Sequence, residues 1–306
     1  MSAALKDNTK RTYSSAQKRY LNFCEHYHRV PMPASEDTLL LYVSFLFEEG
    51  LTGTSIRVYL SAVRSLHVFA GHTYPTELLR VKLALKGAIR ETPAPIRKLP
   101  ITYTVLKKLL KKIKCRFDGH LLCAAMTLAF FGCLRLGEIC VHDKDGFSSL
   151  KNLCLSDISI DATNKCMSLF LRQSKTDVHN TGVYVHVGCS GSPECCAFCA
   201  MTAYLSVRSN SNFPDDDDSP LLILPGGRPL FKSYVVSATR LSLSLCGYNP
   251  SAYSGHSFRA GAATTAGDRQ FQDWEIKMLG RWASPAYNIY LRNPKLAVTF
   301  ASRLVD

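Results

Sequence analysis

Residues 121–138 read LLCAAMTLAFFGCLRLGE. The first 14 of them form the longest apolar run of the chain, and it ends on a permanent cation, Arg135. Fourteen residues cannot cross a bilayer, which needs about 20, so the run reads as a buried core helix over residues 121–134. A guanidinium that follows so apolar a segment needs an anionic partner, because removing an ion from water costs several kcal/mol unless it is compensated. Glu138, three residues on, is the internal candidate at helical i,i+3 spacing. A structural ion pair and a ligand-binding arginine both remain open at this point.

The rest of the composition narrows the choice. The chain has 306 residues, is 46% hydrophobic and 10% aromatic, and can fill the cores of one large or two ordinary domains. Its formal net charge is +13, and residues 1–100 hold +6 of it, so both halves are basic. Distributed positive charge favours a polyanion, most simply nucleic acid. The amino terminus, MSAALKDNTKR, is polar and carries no secretory pattern. Of the 12 cysteines most stand singly in apolar segments, such as Cys123, Cys133, Cys140, Cys154 and Cys246, where a thiol behaves as a small hydrophobe. A reducing compartment, cytosol or nucleus, is expected. Cys189, Cys195, Cys196 and Cys199 crowd GCSGSPECCAFC, which contains a C-x-x-C. No second matched pair or suitably spaced histidine completes a four-ligand zinc set, so packing at the start of a helix from Ala200 is the expected role, with no metal or other cofactor.

Outward from the apolar run, the first 91 residues read as a helical domain. TKRTYSSAQKRYLNFCEHY puts Tyr13, Ala16, Tyr20 and Phe23 on one stripe and Lys10, Arg11, Lys18 and Arg19 on the other surface. Further helices are expected over residues 35–49, opened by the capping pattern S-E-D-T, then 54–70 and 77–90. A linker, residues 92–100, follows with Pro93, Pro95 and Pro100, and residues 101–306 form the second domain. There a basic helix is expected over 103–114, whose KKLLKKIK reads as an amphipathic helix rather than a nuclear-import signal. LCLSDISID, CMSLFLRQS and GVYVHVG alternate as three antiparallel strands, with SKTDVHNT as the hairpin between the last two. Helices return from Ala200, break at the solvated acidic loop NFPDDDDSP, and resume over 233–245, 257–267, 271–279 and 284–290. The fold class is mainly α with a small antiparallel sheet.

Four fragments carry chemistry together: Arg135 in CLRLGE, Lys175 in SKTD, His256 and Arg259 in H-S-F-R, and LGRWASPAYNIYLR with Trp282 and Tyr290. Singly each has an ordinary explanation. An H-x-x-R spacing places two polar groups on one helix face about 5–6 Å apart at Cβ, which suits a shared phosphate and equally a surface pair.

In this order and at these separations the fragments resemble the tyrosine recombinases, over nearly the whole chain. The wording GHSFRAGAAT…LGRWASPAYNIYLR is most similar to the recombinases of eukaryotic mobile elements of Crypton, DIRS or Ngaro type. The resemblance implies an N-terminal helical core-binding domain that clamps DNA with a C-terminal catalytic domain. It implies that Arg135 is the first family arginine, with Glu138 as its brace, and that Lys175 is the hairpin lysine. His256 and Arg259 then form the H-x-x-R box, Trp282 takes the position that is histidine or tryptophan, and Tyr290 is the nucleophile. The separation of Trp282 from Tyr290 is one residue shorter than is usual in bacterial and phage members, and Tyr287, on a similar helical face, reads as packing. The implied activity cuts and rejoins double-stranded DNA through a 3′-phosphotyrosyl intermediate. It needs no cofactor, metal or ATP, and proceeds as a homodimer or homotetramer on DNA, in the nucleus after synthesis in the cytoplasm. No membrane or small-molecule substrate is involved. Arg11, Lys18, Arg57, Arg64 and Lys98 are candidate DNA contacts. A domesticated DNA-binding protein without catalysis and a type IB topoisomerase are the alternatives.

Overall fold

The structure is a computed structural model of the chain and describes residues 7–74, 78–94, 96–113, 116–144, 146–174, 177, 181–282, 284 and 287. It is mainly helical with one small antiparallel sheet, and it divides into two compact units, Met1–Ile96 and Arg97–Asp306.

The first unit holds α1 (Asp7–His26), α2 (Glu36–Glu48), α3 (Gly53–Phe69) and α4 (Leu79–Glu91). The expected stripe of α1 is the buried one: Ala16, Tyr20 and Phe23 are in the core, Tyr13 is half-buried, and Lys18 faces solvent. Tyr20 meets Tyr42 of α2 edge-on at 5.1 Å between ring centroids, and its hydroxyl donates to the Pro31 carbonyl at 2.9 Å. Ser35 caps α2 by accepting from the Thr38 N–H, and Thr52 does the same for α3 through Ser55. Gly53 lets α3 begin against α4, since a Cβ there would lie 2.5 Å from the Ile89 backbone.

In the second unit the expected apolar helix starts and stops earlier than the hydropathy suggests: α6 spans Phe117–Phe131. Gly132 caps it and Cys133 takes a left-handed φ of 46°, so the chain reverses before Arg135 instead of continuing the helix through Leu134. The preceding α5 (Tyr103–Leu110) also ends sooner than expected. Lys112 and Ile113 donate to Leu109 and Leu110, the tighter i→i+3 pattern that closes a helix. It buries Leu106, Leu109 and Leu110, while Lys107 pairs with Glu194 and Lys108 donates to the Tyr248 hydroxyl.

A four-residue α7 (Leu136–Ile139) follows. The first expected strand is shortened because residues 155–157 form a 3-10 turn, in which the buried Asp157 carboxylate accepts from the Cys154 N–H and from Arg172. The sheet is β1 (Ile158–Asp161), β2 (Cys166–Leu171) and β3 (Val183–Gly188), antiparallel in the order β1-β2-β3. Met167, Leu169 and Leu171 of β2 alternate inward opposite Val187, Val185 and Val183 of β3. Within the expected hairpin, Asp177 accepts from the Gly182 N–H at 2.8 Å.

The remaining helices are α8 (Ala197–Ser209), which packs along α6, then α9 (Lys232–Leu245), α10 (Ser257–Asp268) and α11 (Asp273–Gly280). The acidic loop is not merely solvated: the buried Arg208 of α8 grips Asp215 at 2.8 Å and also donates to Ser219 and the Pro214 carbonyl. The extended segment before α5 lies against α10, with the Ile101 N–H donating to the Ser257 carbonyl at 2.9 Å. Gly261 permits this approach, because a Cβ there would sit 1.7 Å from the Ile101 carbonyl oxygen. Among the described residues no helix is long and apolar enough to cross a membrane.

Candidate active site

The site grows from the reversal at residues 132–135. The left-handed Cys133 turns its own carbonyl and that of Gly132 away from α6, and Arg135 then caps α7. Glu138 closes the turn. One carboxylate oxygen accepts from the Arg135 N–H at 2.8 Å and the other from the Arg135 guanidinium at 2.7 Å, so the expected i,i+3 pair is made twice. The Glu138 side chain is 5% exposed and that of Arg135 22%. The carboxylate is therefore desolvated while part of the guanidinium still meets solvent.

Arg259 comes from the first turn of α10 and is 3% exposed. Its guanidinium donates to the Cys133 carbonyl at 2.6 Å and to the Gly280 carbonyl, and it lies 4.5 Å from the Trp282 ring centroid. Two carbonyl dipoles and an aromatic face thus offset part of the cost of burying this cation. Burial still lowers its pKa from the usual arginine value, and the nearby Arg135 and Arg281 charges lower it further. Burial likewise pushes the Cys133 thiol up to about 11, against the pull of the arginines.

Arg281 is the residue that sequence reading missed. At the end of α11 it adopts a left-handed φ of 52°, and the Trp282 N–H returns to the Lys277 carbonyl at 3.0 Å, a Schellman-type closure. That closure sets the Trp282 ring against Arg259 of α10 and turns Arg281 toward the 132–138 turn. Arg281 donates to the Gly132 carbonyl at 3.1 Å and the Cys133 carbonyl at 3.4 Å, and approaches Glu138 at 3.6 Å. Gly280 is required here, since a Cβ would enter the Trp282 ring at 1.8 Å. The available signal was a third arginine, in LGRW directly before the tryptophan.

Arg135, Arg259, Arg281 and Glu138 therefore share one small volume around the Cys133 carbonyl, with Trp282 stacked on Arg259. His256 stands at the N-cap of α10, exposed, three residues before Arg259. Tyr287 is 1% exposed and packs with Ala263, Ala266 and Ile276, its ring 5.8 Å from that of Trp282. Burial and a hydrogen bond to Asp273 raise its phenol pKa. Lys175 and Tyr290 lie outside the described residues. Of the candidate DNA contacts, Arg11, Lys18, Arg57 and Arg64 are exposed on the helices of the first unit, and Lys98 donates to the Ser251 carbonyl at 2.7 Å. Among the described residues, metal-ligand convergence occurs at Cys189, Cys196 and Cys199, none of which belongs to the arginine cluster.

No family model matches the chain. A curated protein, the integrase/recombinase xerD homolog of Selenomonas ruminantium, is 24% identical over 281 residues, covering 85% of this chain and 74% of that protein. Among solved structures, the Tn1549 transposon integrase in complex with transposon right end DNA superposes with a TM-score of 0.65 at 14% identity, over 99% of this chain and 95% of that one. The XerH site-specific recombinase bound to a palindromic difH substrate gives 0.64 at 16%, over 95% and 78%. A lambda integrase dimer bound to a core site gives 0.60 at 16%, over 94% and 89%. The fold is that of the tyrosine recombinase catalytic domain, preceded by a helical N-terminal unit.

Proposed function

We propose that this chain is a site-specific DNA recombinase of a mobile element, of the Crypton, DIRS or Ngaro kind, that cuts and rejoins strands through a 3′-phosphotyrosyl intermediate. The observation that carries the reading is the cluster of Arg135, Arg259 and Arg281 with Glu138 as the carboxylate among them. Three cations around one anion leave a local excess of positive charge at a half-open site, which a scissile phosphate neutralises.

The chemistry follows from the residue types. Arg135 releases part of its guanidinium toward the non-bridging oxygens while Glu138 holds the rest, and Arg259, on its carbonyl supports, adds the charge that stabilises the pentavalent transition state. The Tyr290 phenolate oxygen bonds to phosphorus as the bond to the 5′ oxygen breaks, and Lys175 delivers a proton to that leaving oxygen. His256 binds phosphate or assists proton transfer, and the Trp282 indole N–H donates to an oxygen. The phosphotyrosyl ester keeps the energy of the broken bond, so attack by a different 5′ hydroxyl restores the backbone without ATP, and the arginines make a metal ion unnecessary. The buried Tyr287, packed against α10 and α11, supports Tyr290 as the nucleophile.

In this reading residues 1–91 form the core-binding domain, and Arg11, Lys18, Arg57, Arg64 and Lys98 meet DNA phosphates, so affinity falls steeply with salt. The protein works in the nucleus as a homodimer or homotetramer on its sites. The test is a nicked suicide duplex carrying the element's terminal sequence, incubated with chelator present. A covalent protein–DNA adduct that Tyr290→Phe abolishes and Tyr287→Phe retains is expected. An adduct that survives Tyr290→Phe overturns the nucleophile, and DNA binding without any adduct points to a domesticated binding protein.

A further inference from the structure

Beyond the arginine cluster, the connection from β3 to α8 brings three thiols together. Cys189 follows the last residue of β3, Cys196 is the N-cap of α8 and Cys199 lies in its first turn. Their sulfurs all lie within 4.8 Å of one another, with Cys189 3.7 Å from Cys196 and 4.0 Å from Cys199. A tetrahedral zinc thiolate centre with Zn–S bonds of ~2.3 Å has sulfur–sulfur edges of about 3.8 Å. The triangle already has that size.

Its surroundings are those of a ligand set and not of a packed core. The Ser190 and Cys199 N–H groups both donate to the Cys196 sulfur, at 3.3 and 3.5 Å, which places negative charge favourably on that atom at a helix N-terminus. The Cys189 N–H donates to the Lys165 carbonyl at 2.8 Å and the Ser190 hydroxyl to the Cys195 carbonyl at 3.1 Å, so the loop that presents the first sulfur is held from both sides. Cys195, the neighbour that packing alone would explain, is fully buried in the main core and stands outside the triangle. Cys196 is buried while Cys189 and Cys199 are partly exposed, so the triangle is reached from solvent on one side and leaves an open corner for a small ligand.

We propose that Cys189, Cys196 and Cys199 bind a zinc ion as three thiolate ligands, with water in the fourth position. Sequence spacing argued against zinc because no fourth protein ligand was available, and the open corner removes that requirement. Soft sulfur ligands in tetrahedral array select zinc over hard cations. The ion cross-links the end of β3 to the start of α8, the helix that packs along α6 and so supports the turn bearing Arg135.

The test uses the full chain, purified in reductant, stripped with chelator and then titrated with Zn²⁺ or Co²⁺. One equivalent of zinc per chain is expected, and the cobalt form should show the intense sulfur-to-metal charge-transfer absorption of tetrahedral thiolate coordination. Cys199→Ser, at a half-exposed position, should remain folded by circular dichroism and bind zinc at least ~100-fold more weakly, more than the loss of an outer-shell partner costs. Cys246→Ser, a half-buried thiol outside the triangle, should bind zinc as the parent does. Failure of the reduced protein to take up zinc, or a charge-transfer band that survives in both Cys196→Ser and Cys199→Ser, overturns the proposal.

Discussion

Cys133 and Arg259 hold each other reciprocally across 126 positions of chain: the Arg259 guanidinium donates to the Cys133 carbonyl at 2.6 Å, and the Cys133 thiol lies 3.8 Å from the Arg259 carbonyl. The same Cys133 carbonyl also accepts from Arg281. One backbone oxygen therefore fixes the relative position of two cations from different helices. This explains how Arg259, only 3% exposed, is held without a carboxylate of its own, since Glu138 is already committed to Arg135 and Arg281.

Removing Glu138 should be the most damaging single change at the site. Glu138→Ala leaves three guanidinium groups around the Cys133 carbonyl with no anion, and breaking a buried pair by deleting one partner costs about 3–5 kcal/mol. Arg135 is partly exposed, so the lower end of that range is expected. Urea unfolding of the second unit should show the loss. Because the bare cations attract phosphate more strongly, the protein that remains folded should bind a duplex at low salt at least as tightly as the parent does.

The architecture was legible where the signal is local. The S-E-D-T cap marked α2, the period of two marked β2, and the i,i+3 spacing paired Arg135 with Glu138. What escaped depends on a turn or on a distant partner. Arg281 reaches Glu138 only because its own left-handed φ closes α11, and nothing in the local pattern of LGRW announces that reversal. Asp215 meets Arg208 only because the loop after α8 folds back across seven residues. The cysteine triangle needed the path from β3 into α8, which places Cys189 beside two residues that spacing alone leaves apart.

Two glycine substitutions should separate close approach from mere sequence pattern. Gly261→Ala drives a methyl to 1.7 Å from the Ile101 carbonyl oxygen, a backbone atom with no flexible end to yield. A loss of at least ~3 kcal/mol is expected, the upper end for overpacking. Gly137, inside α7, has open space around its Cβ position and no positive φ, so Gly137→Ala should be neutral or stabilise by up to about 1 kcal/mol. Thermal melting of both variants beside the parent decides it. A stable Gly261→Ala protein would mean that the segment before α5 does not lie on α10.

Arg208 makes its acidic loop a structural element. The side chain is 2% exposed and donates to Asp215, Ser219 and the Pro214 and Pro220 carbonyls. Arg208→Lys keeps the charge but loses the planar fork that reaches these acceptors together. Destabilisation of about 2–3 kcal/mol is expected, with faster hydrogen exchange over residues 211–220. Asp215→Asn, whose side chain is 69% exposed, should cost about 1 kcal/mol or less.

His67 gives the first unit a defined pH limit. It is fully buried, with Nδ1 donating to the Val63 carbonyl at 2.8 Å and Nε2 accepting from the Ala34 N–H at 2.9 Å. A protonated ring would set two N–H groups against each other at Nε2, so the fold holds the neutral tautomer. Burial lowers the pKa below the ordinary histidine value, the Val63 bond opposes this, and the neighbouring His72 adds to the lowering. The sign follows: the unfolded chain binds a proton near pH 6.5 that the folded chain refuses until lower pH. Stability is thus fully present above about pH 6.5 and falls as pH drops toward the folded pKa, by at most ~1.4 kcal/mol per pH unit. The protection factors of the amides in α2 and α3, which are exchange rates corrected for the intrinsic pH dependence, should fall over that window. In His67→Gln the unit should be less stable at pH 7.5 and should lose much of this dependence. An unchanged slope in that variant would assign the titration to another group.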